Sequence, residues 1–279
     1  MCEDWENMRQ IIAVISDMHV GSSVAISPMK YELSDGVMFK ASDFQESILR
    51  FYAACWEEIW RVAGNDPIYT VINGDAVDGN HHGTYQLWTR SADVQAHAAV
   101  ELLRVPSNRS EKVFVIRGTT AHVGEEGVSE DIIAKELGAH TKKALPDLPL
   151  TVQGVDFYFK HHGPNPGKLP HTRGDSVRRE LRKQFTQSIE NGHKPVQHYV
   201  WGHFHQKWYE PKTMRYLGDE YLTHGYTLPA WQLSTKYVDR IEKGQVFCDI
   251  GMIYFVIEDG VVTHKFLNDS RTMTEGVTI

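Results

Sequence analysis

The chain has 279 residues, of which 41% are hydrophobic and 23% charged, and its formal net charge at pH 7 is −7. We expect residues 1–279 to form a single domain, because this length can bury one substantial core. No apolar run approaches the roughly 20 residues of a membrane-spanning helix, and the acidic start lacks the form of a secretory signal. Three scattered cysteines make a disulfide framework unexpected, so the composition predicts a cytoplasmic globular protein. The negative net charge argues against a protein that coats nucleic acid through its overall electrostatic field.

The first half of the chain alternates strands and helices. Unbroken apolar runs indicate buried strands, whereas apolar residues at helical spacing indicate a helix that Ser42 caps and Gly64 ends. The predicted elements are a strand at 11–16, a small hairpin at 31–40, a helix at 42–62, a strand at 68–73, a helix at 85–105, a strand at 112–116 and a helix at 129–137.

The second half is richer in strands. A tight turn at Gln153-Gly154 separates two of them, and Asn191-Gly192 ends a strongly basic helix. The predicted elements are strands at 150–152 and 155–160, a helix at 175–189 and strands at 196–201, 208–209, 221–224, 247–257 and 261–266. Alternating elements followed by a strand-rich end predict α/β layers with a mixed sheet.

Four of the predicted strands stop at side chains that bind metal ions. The four stretches are Asp17-Met18-His19, Gly74-Asp75-Ala76-Val77-Asp78, His161-His162-Gly163 and Gly202-His203-Phe204-His205. Residues two apart leave a strand end on the same side, so Asp17 with His19, and His203 with His205, suit two ligands on one cation. Carboxylates and imidazoles from several strand ends can converge on one sheet edge, where divalent cations bind. The pattern predicts a two-metal site.

These four motifs resemble the signature of the calcineurin-like metallophosphoesterase family, in a compact form often met in bacteriophage genomes. For a phage-encoded protein the expected location is the host cytoplasm. The resemblance covers residues 11–205 and implies an α/β fold: a β-sandwich of two mixed sheets flanked by helices. It implies two divalent transition-metal ions, with Mn expected and with Fe, Zn or Ni also suited to the mixed nitrogen and oxygen ligands. The implied ligands are Asp17, His19, Asp75 and His205 for the first metal and Asp75, His162 and His203 for the second.

The stretch after the strand at 112–116 departs from the family pattern. The family has Gly-Asn-His there, and this chain has Gly118-Thr119-Thr120-Ala121-His122. Either His122 swings back to supply the missing imidazole, as proton donor or metal ligand, or the second metal has fewer protein ligands. The remaining alternative is that His122 is a loop residue outside the site. Asp78 is expected to orient a ligand histidine, the alternative being an ordinary loop carboxylate.

Three further residues are predicted to contact substrate. Arg173 lies in a basic loop that enters the helix at 175–189, and its guanidinium suits a phosphate group. The alternative is a solvated basic helix. Asn80 and His82 follow Asp75 closely enough to face substrate, the alternatives being turn or surface roles.

The resemblance implies hydrolysis of a phosphoester by a hydroxide that bridges the two metals. The basic segment favours a phosphodiester, in DNA, another nucleic acid or a nucleotide, and no membrane partner is expected. A phosphomonoesterase acting on phosphoproteins or small phosphates is the nearest alternative. A second alternative is a binding module whose metal site has decayed. The Thr119-Thr120 replacement favours that module, whereas the surviving aspartates and histidines count against it.

Overall fold

The computed structural model describes residues 9–80, 85–123, 128–167, 169, 171–233 and 248–271. The strands are β1 (Gln10–Ile15), β2 (Lys30–Glu32), β3 (Met38–Lys40), β4 (Ile68–Asn73), β5 (Lys112–Ile116), β6 (Leu148–Val152), β7 (Val155–Lys160), β8 (His198–Trp201), β9 (Trp208–Tyr216), β10 (Asp219–Thr227), β11 (Cys248–Glu258) and β12 (Val261–Arg271). The helices are α1 (Asp43–Ala63), α2 (Ala92–Asn108), α3 (Thr120–Val123), α4 (Val128–Glu136) and α5 (Asp175–Glu190). None of the helices in these ranges has the length and apolar character that crossing a bilayer requires.

Ten of these strands form two mixed sheets of five strands each. The first has the order β12-β11-β1-β4-β5, and the second has the order β6-β7-β8-β10-β9. In the first sheet β1, β4 and β5 run parallel, and in the second β7, β8 and β10 run parallel. The other neighbouring strands are antiparallel. β2 and β3 form a separate small hairpin.

The two sheets pack face to face, and helices cover their outer faces. One buried core lies between the sheets, with members such as Ile12 and Val14 from the first sheet and Phe157 and Val200 from the second. A second core joins α1, α2 and α4 to the outer face of the first sheet. α5 packs on the outer face of the second sheet. The predicted α/β fold, a β-sandwich of two mixed sheets flanked by helices, is confirmed.

α1 shows how directly the sequence encodes one of these elements. The Ser42 side chain accepts a hydrogen bond from the Gln45 amide, and the Gln45 side chain accepts one from the Ser42 amide. This reciprocal pair satisfies two amide donors that would otherwise be unpaired at the start of the helix. Gly64 follows the last turn with a φ of 57°, a conformation that glycine adopts without steric cost.

The helix predicted at 85–105 begins later, at the first residue of α2. Ser91 caps it by accepting a hydrogen bond from the amide of Val94. The preceding residues are held against the loop that follows β1, where the Trp88 amide donates to the Gly21 carbonyl at 2.9 Å. The prediction was wrong for residues 85–91 because these tertiary contacts and the Ser91 cap outweigh the local apolar pattern.

The strands predicted at 208–209 and 221–224 are both longer in the structure. β9 and β10 have nine residues each and pair antiparallel along their whole length. Leu217 and Gly218, which join them, have φ values of 50° and 93°. Two consecutive positive φ values are typical of a tight hairpin turn.

Three histidines belong to an aromatic stack and do not lie at the carboxyl ends of strands. His198 lies between Phe157 and His224, with ring centroids 4.6 Å from each, and His264 packs beside Tyr226 in the same group. Burial, together with His224 and His264, lowers the pKa of His198 to about 3. His198 is therefore neutral at pH 7. The histidines of this chain thus include some that pack in the aromatic stack and others that follow the ends of strands.

Candidate metal centre

The loops after β1, β4, β7 and β8 meet at one edge of the sandwich. His161 Nδ1 donates to the Asn73 carbonyl oxygen at 2.8 Å, and the His203 amide donates to the Asp17 carboxylate at 3.1 Å. Both bonds cross from the second sheet to the first. They bring the carboxylates of Asp17 and Asp75, which are 0% and 1% exposed, beside several imidazoles. The convergence of strand ends on a common edge is what the chain order of the motifs indicated.

One group of ligand atoms comes from Asp17, His19 and His205. His205 Nε2 lies 3.2 Å from Asp17 Oδ1 and 3.1 Å from His19 Nε2, and His19 Nε2 lies 3.9 Å from Asp17 Oδ1. All three atoms lie within 4.8 Å of one another. Two imidazole nitrogens and a carboxylate oxygen at this spacing suit a single divalent cation.

A second group comes from Asp75, His161 and His203, whose ligand atoms also lie within 4.8 Å of one another. His161 Nε2 is 2.9 Å from Asp75 Oδ2 and 3.9 Å from Asp17 Oδ1. His161 therefore adjoins both carboxylates and links the two groups.

The structure places His161 in this second group and leaves His162 outside it. Side chains of a strand alternate between its two faces, and along β7 the buried positions are Val155, Phe157 and Phe159. His161 continues that buried series, whereas His162 falls on the exposed side. The ring of His162 packs against that of His203, with centroids 4.5 Å apart. The ligand role of His162 therefore stays a prediction, and His161 is a second candidate for it.

His122 and Asp78 form the third part of the site. One helical turn, α3, carries the His122 ring back toward the cluster, where it packs edge-on against His19 with centroids 4.6 Å apart. His122 Nδ1 donates to the Asp78 carbonyl oxygen at 2.6 Å, and Nε2 faces Asp75 Oδ2 at 3.9 Å. Of the alternatives left open for His122, the structure supports the one in which it returns to the site.

Hydrogen bonds preset the tautomers of two histidines. His19 Nδ1 donates to Asp78 Oδ1 at 3.1 Å, and Gln232 holds that carboxylate from the other side, also at 3.1 Å. His161 Nδ1 donates to the Asn73 carbonyl. In both rings Nε2 is therefore the atom that faces the carboxylates, as in metal-binding histidines whose other nitrogen is held by an acceptor. The Asp78 carboxylate thus contacts the ring of His19, and its role in orienting a ligand histidine stays a prediction.

The backbone is strained at these residues. The five residues Asp17, His19, Asp75, His203 and His205 have φ values of 53°, 47°, 49°, 76° and 53°. They account for five of the nine non-glycine residues with positive φ in the described ranges. Such conformations cost on the order of 1–3 kcal/mol each and persist where a site requires a particular side-chain geometry. The strained residues therefore concentrate at the edge that carries the clustered ligand atoms.

The electrostatics of the centre fit a bound cation. Burial alone would raise the pKa of Asp17, yet His161 and His205 lower it, and His161 likewise lowers the pKa of Asp75. Burial would lower the pKa of His161, but the two carboxylates raise it to about 10. Among the described residues, imidazoles are the only basic groups within 4.0 Å of either carboxylate. A proton on His161 therefore supplies positive charge beside the two carboxylates. Divalent cations, when bound, would supply that charge in its place.

Two residues outside the predicted ligand set shape the centre, and of these the sequence singled out Thr119 but not Glu130. Thr119, at the position where the resembled family has asparagine, donates its hydroxyl to both oxygens of Asp75 at 2.8 and 2.7 Å. Glu130, on α4, is fully buried and accepts a hydrogen bond from the Gly118 amide at 2.8 Å. Burial and the charge of Asp75 raise the pKa of Glu130 to about 8. A single buried acidic residue in a helix carries no sequence signal that would distinguish it from its exposed neighbours.

Of the three predicted substrate contacts, Asn80 and Arg173 lie in the described part of the chain, and neither is among the clustered ligand residues. Asn80 is exposed, two residues beyond Asp78. The guanidinium of Arg173 lies 5.0 Å from the ring centroid of Trp208, which begins β9 shortly after His205. His82 lies outside the described residues.

Comparison with known proteins gives solved structures but no sequence relatives. No family model and no curated protein matches the chain significantly. A conserved, predicted phosphoesterase of Streptococcus pneumoniae is 12% identical with a TM-score of 0.36, over 95% of this chain and 98% of that one. A metallophosphoesterase of Sphaerobacter thermophilus is 11% identical with a TM-score of 0.35, over 92% and 87%. A sulfate thiohydrolase of Thermus thermophilus is 9% identical with a TM-score of 0.43, over 93% of this chain and 56% of that one.

The arrangement of the second group predicts different metal contents for two adjacent variants. We expect His161→Ala to lose one of two bound Mn²⁺ ions, because it removes an imidazole between the carboxylates. We expect His162→Ala to keep both. Elemental analysis after dialysis against Mn²⁺ measures the content, and circular dichroism checks the fold. Loss of metal in His162→Ala but not in His161→Ala would reverse the assignment.

Proposed function

We propose that the protein is a metal-dependent phosphoric ester hydrolase of the calcineurin-like metallophosphoesterase type, and that its substrate is a phosphodiester in nucleic acid or a nucleotide. The observation that carries this proposal is the pair of ligand groups that share one buried edge, linked by His161. Two adjacent groups of imidazoles and carboxylates are what a two-metal hydrolase requires. A protein-binding module would have no need to keep both groups buried, strained and intact.

In this proposal Asp17, His19 and His205 hold one cation, and Asp75, His161 and His203 hold the other. The family resemblance adds Asp75 as the carboxylate shared by both. Two such cations, when bound, lower the pKa of water and offset the charge on the phosphate oxygens. Mn is the metal we propose, since the mixed ligand set accepts it.

The remaining polar residues orient the ligands and handle protons. Asp78 fixes the ring of His19, and Thr119 fixes both oxygens of Asp75. We assign His122, as the imidazolium, the role of proton donor to the leaving oxygen through Nε2, which leaves the ring neutral with its proton on Nδ1. The Nδ1 bond to the Asp78 carbonyl fixes the direction in which Nε2 points, and a general acid must lie within hydrogen-bond reach of the oxygen that it protonates.

The basic residues of α5 favour a diester over a monoester in this proposal. Arg179 and Arg182 are exposed on α5, and this helix follows the loop that leaves His161. A nucleic acid or nucleotide chain carries phosphates on both sides of the cleaved bond and can engage such residues. In the Gly-Asn-His stretch of the resembled family, the histidine corresponds to Thr120 of this chain, which is exposed.

The first test compares two substrates in the presence of Mn²⁺. We expect faster turnover of bis-p-nitrophenyl phosphate than of p-nitrophenyl phosphate. Asp75→Asn should lower kcat on the bis-ester about a thousandfold, because several kcal/mol of transition-state stabilisation are lost. Asp156→Asn, at the opposite end of β7, is the control and should retain activity. A large monoester preference would favour the phosphomonoesterase, and wild-type turnover by Asp75→Asn would refute the site.

The second test concerns binding of the substrate phosphate. Arg173→Ala should raise KM for a single-stranded DNA oligonucleotide about tenfold and leave kcat nearly unchanged, because a charge-assisted hydrogen bond to phosphate contributes about 1.5–3 kcal/mol. Arg215→Ala is the matched control, since Arg215 pairs with Glu220 near the β9–β10 turn. An unchanged KM in Arg173→Ala would remove this residue from the phosphate contact.

A further inference from the structure

Glu130 has a buried carboxyl group with an unusual set of contacts. It is 0% exposed, and one oxygen, Oε2, accepts a hydrogen bond from the Gly118 amide at 2.8 Å. The other oxygen, Oε1, is buried and has no partner at full hydrogen-bond geometry in the described part of the chain, although the Ala76 amide, next to Asp75, opposes the rise that burial causes in the pKa of Glu130. An unsatisfied buried polar group costs about 1–3 kcal/mol. An apolar side chain would fill this position in α4 without that cost, so the contact with Gly118 needs an explanation.

The Gly118 amide lies directly before the residue that holds Asp75. Thr119 donates its own amide to Asp75 Oδ1 at 2.7 Å, and its hydroxyl bonds to both carboxylate oxygens. Gly118 itself lies against Asp75, since a Cβ at this position would be 2.0 Å from Asp75 Oδ1. The backbone of residues 118–119 therefore sets where the Asp75 carboxylate lies.

We propose that Glu130 is a positioning residue for the second metal group. By accepting a hydrogen bond from the Gly118 amide, its carboxyl group fixes the short loop whose Thr119 orients Asp75. Glu130 itself contacts neither metal nor substrate in this account. The inference rests on the proposed function only in assuming that Asp75 binds metal.

Two substitutions separate position from charge. Glu130→Gln retains a side-chain oxygen at the same reach, so the Gly118 amide keeps its acceptor while the acid is lost. Glu130→Asp retains the acid but withdraws it by one methylene, so the hydrogen bond to Gly118 is lost. Ile133→Val is the matched control, because Ile133 is also fully buried on α4 and lies one turn further along the helix.

The experiment first removes metal from the full chain and then titrates the chain with Mn²⁺ by isothermal titration calorimetry. We expect two sites in the wild type, in Glu130→Gln and in Ile133→Val, with affinities within about threefold of one another. In Glu130→Asp the weaker site should lose at least about tenfold in affinity, as found when groups that orient metal ligands are removed, and the stronger site should not change.

Each other outcome counts against the inference. Unchanged Mn²⁺ affinity in Glu130→Asp, an equal loss in Ile133→Val, or a loss in Glu130→Gln alone would overturn it. A Glu130→Asp chain that fails to fold by circular dichroism would also overturn it, because a purely structural role then accounts for the residue. A wild-type chain that binds no Mn²⁺ would refute the proposed function as well, so the two failures are distinguishable.

Discussion

Two buried carboxylates with no lysine or arginine beside them among the described residues are the constraint on which the rest of the site depends. Asp17 and Asp75 are 0% and 1% exposed, and burying a charge is costly unless an opposite charge accompanies it. Imidazoles are the basic groups within reach, and His161 lies between the two carboxylates. The edge of the sandwich is therefore organised around negative charge that requires cations.

The parallel strands explain why these side chains meet. β1 and β4 are neighbours in one sheet, as are β7 and β8 in the other, and carboxyl ends of parallel strands lie on the same edge. Each strand then turns sharply, so residues such as Asp17, Asp75 and His203 adopt positive φ values. The hydrophobic core between the sheets supports this strained edge. Packing of the sandwich and function of the site are thus coupled through the strand ends.

Much of this arrangement was predictable from the sequence. Short-range signals fixed α1, because Ser42 and Gly64 mark its ends, and the turn at Gln153-Gly154 marked a hairpin. The four motifs at strand ends identified Asp17, His19, Asp75 and the pair His203 and His205, which the structure brings together. These features were readable because each depends on residues close together in the chain.

The remainder depends on contacts between distant segments. The start of α2 was misplaced because the Trp88 amide pairs with Gly21, a contact that no local pattern shows. The family pattern favours His162 as a ligand, whereas the alternation of buried residues along β7 places His161 beside Asp75. Glu130 contacts a backbone amide that lies 12 residues away in the chain, so nothing in its own neighbourhood distinguished it.

The central claim is that Asp17 and Asp75 belong to adjoining sites for two cations. Crystals of the protein grown with Mn²⁺, measured at the manganese absorption edge, test it directly through the anomalous difference map. The account predicts two peaks, one among Asp17, His19 and His205 and one among Asp75, His161 and His203. A map with no peak at this edge, or with manganese only beside the aromatic histidines around His198, would contradict it.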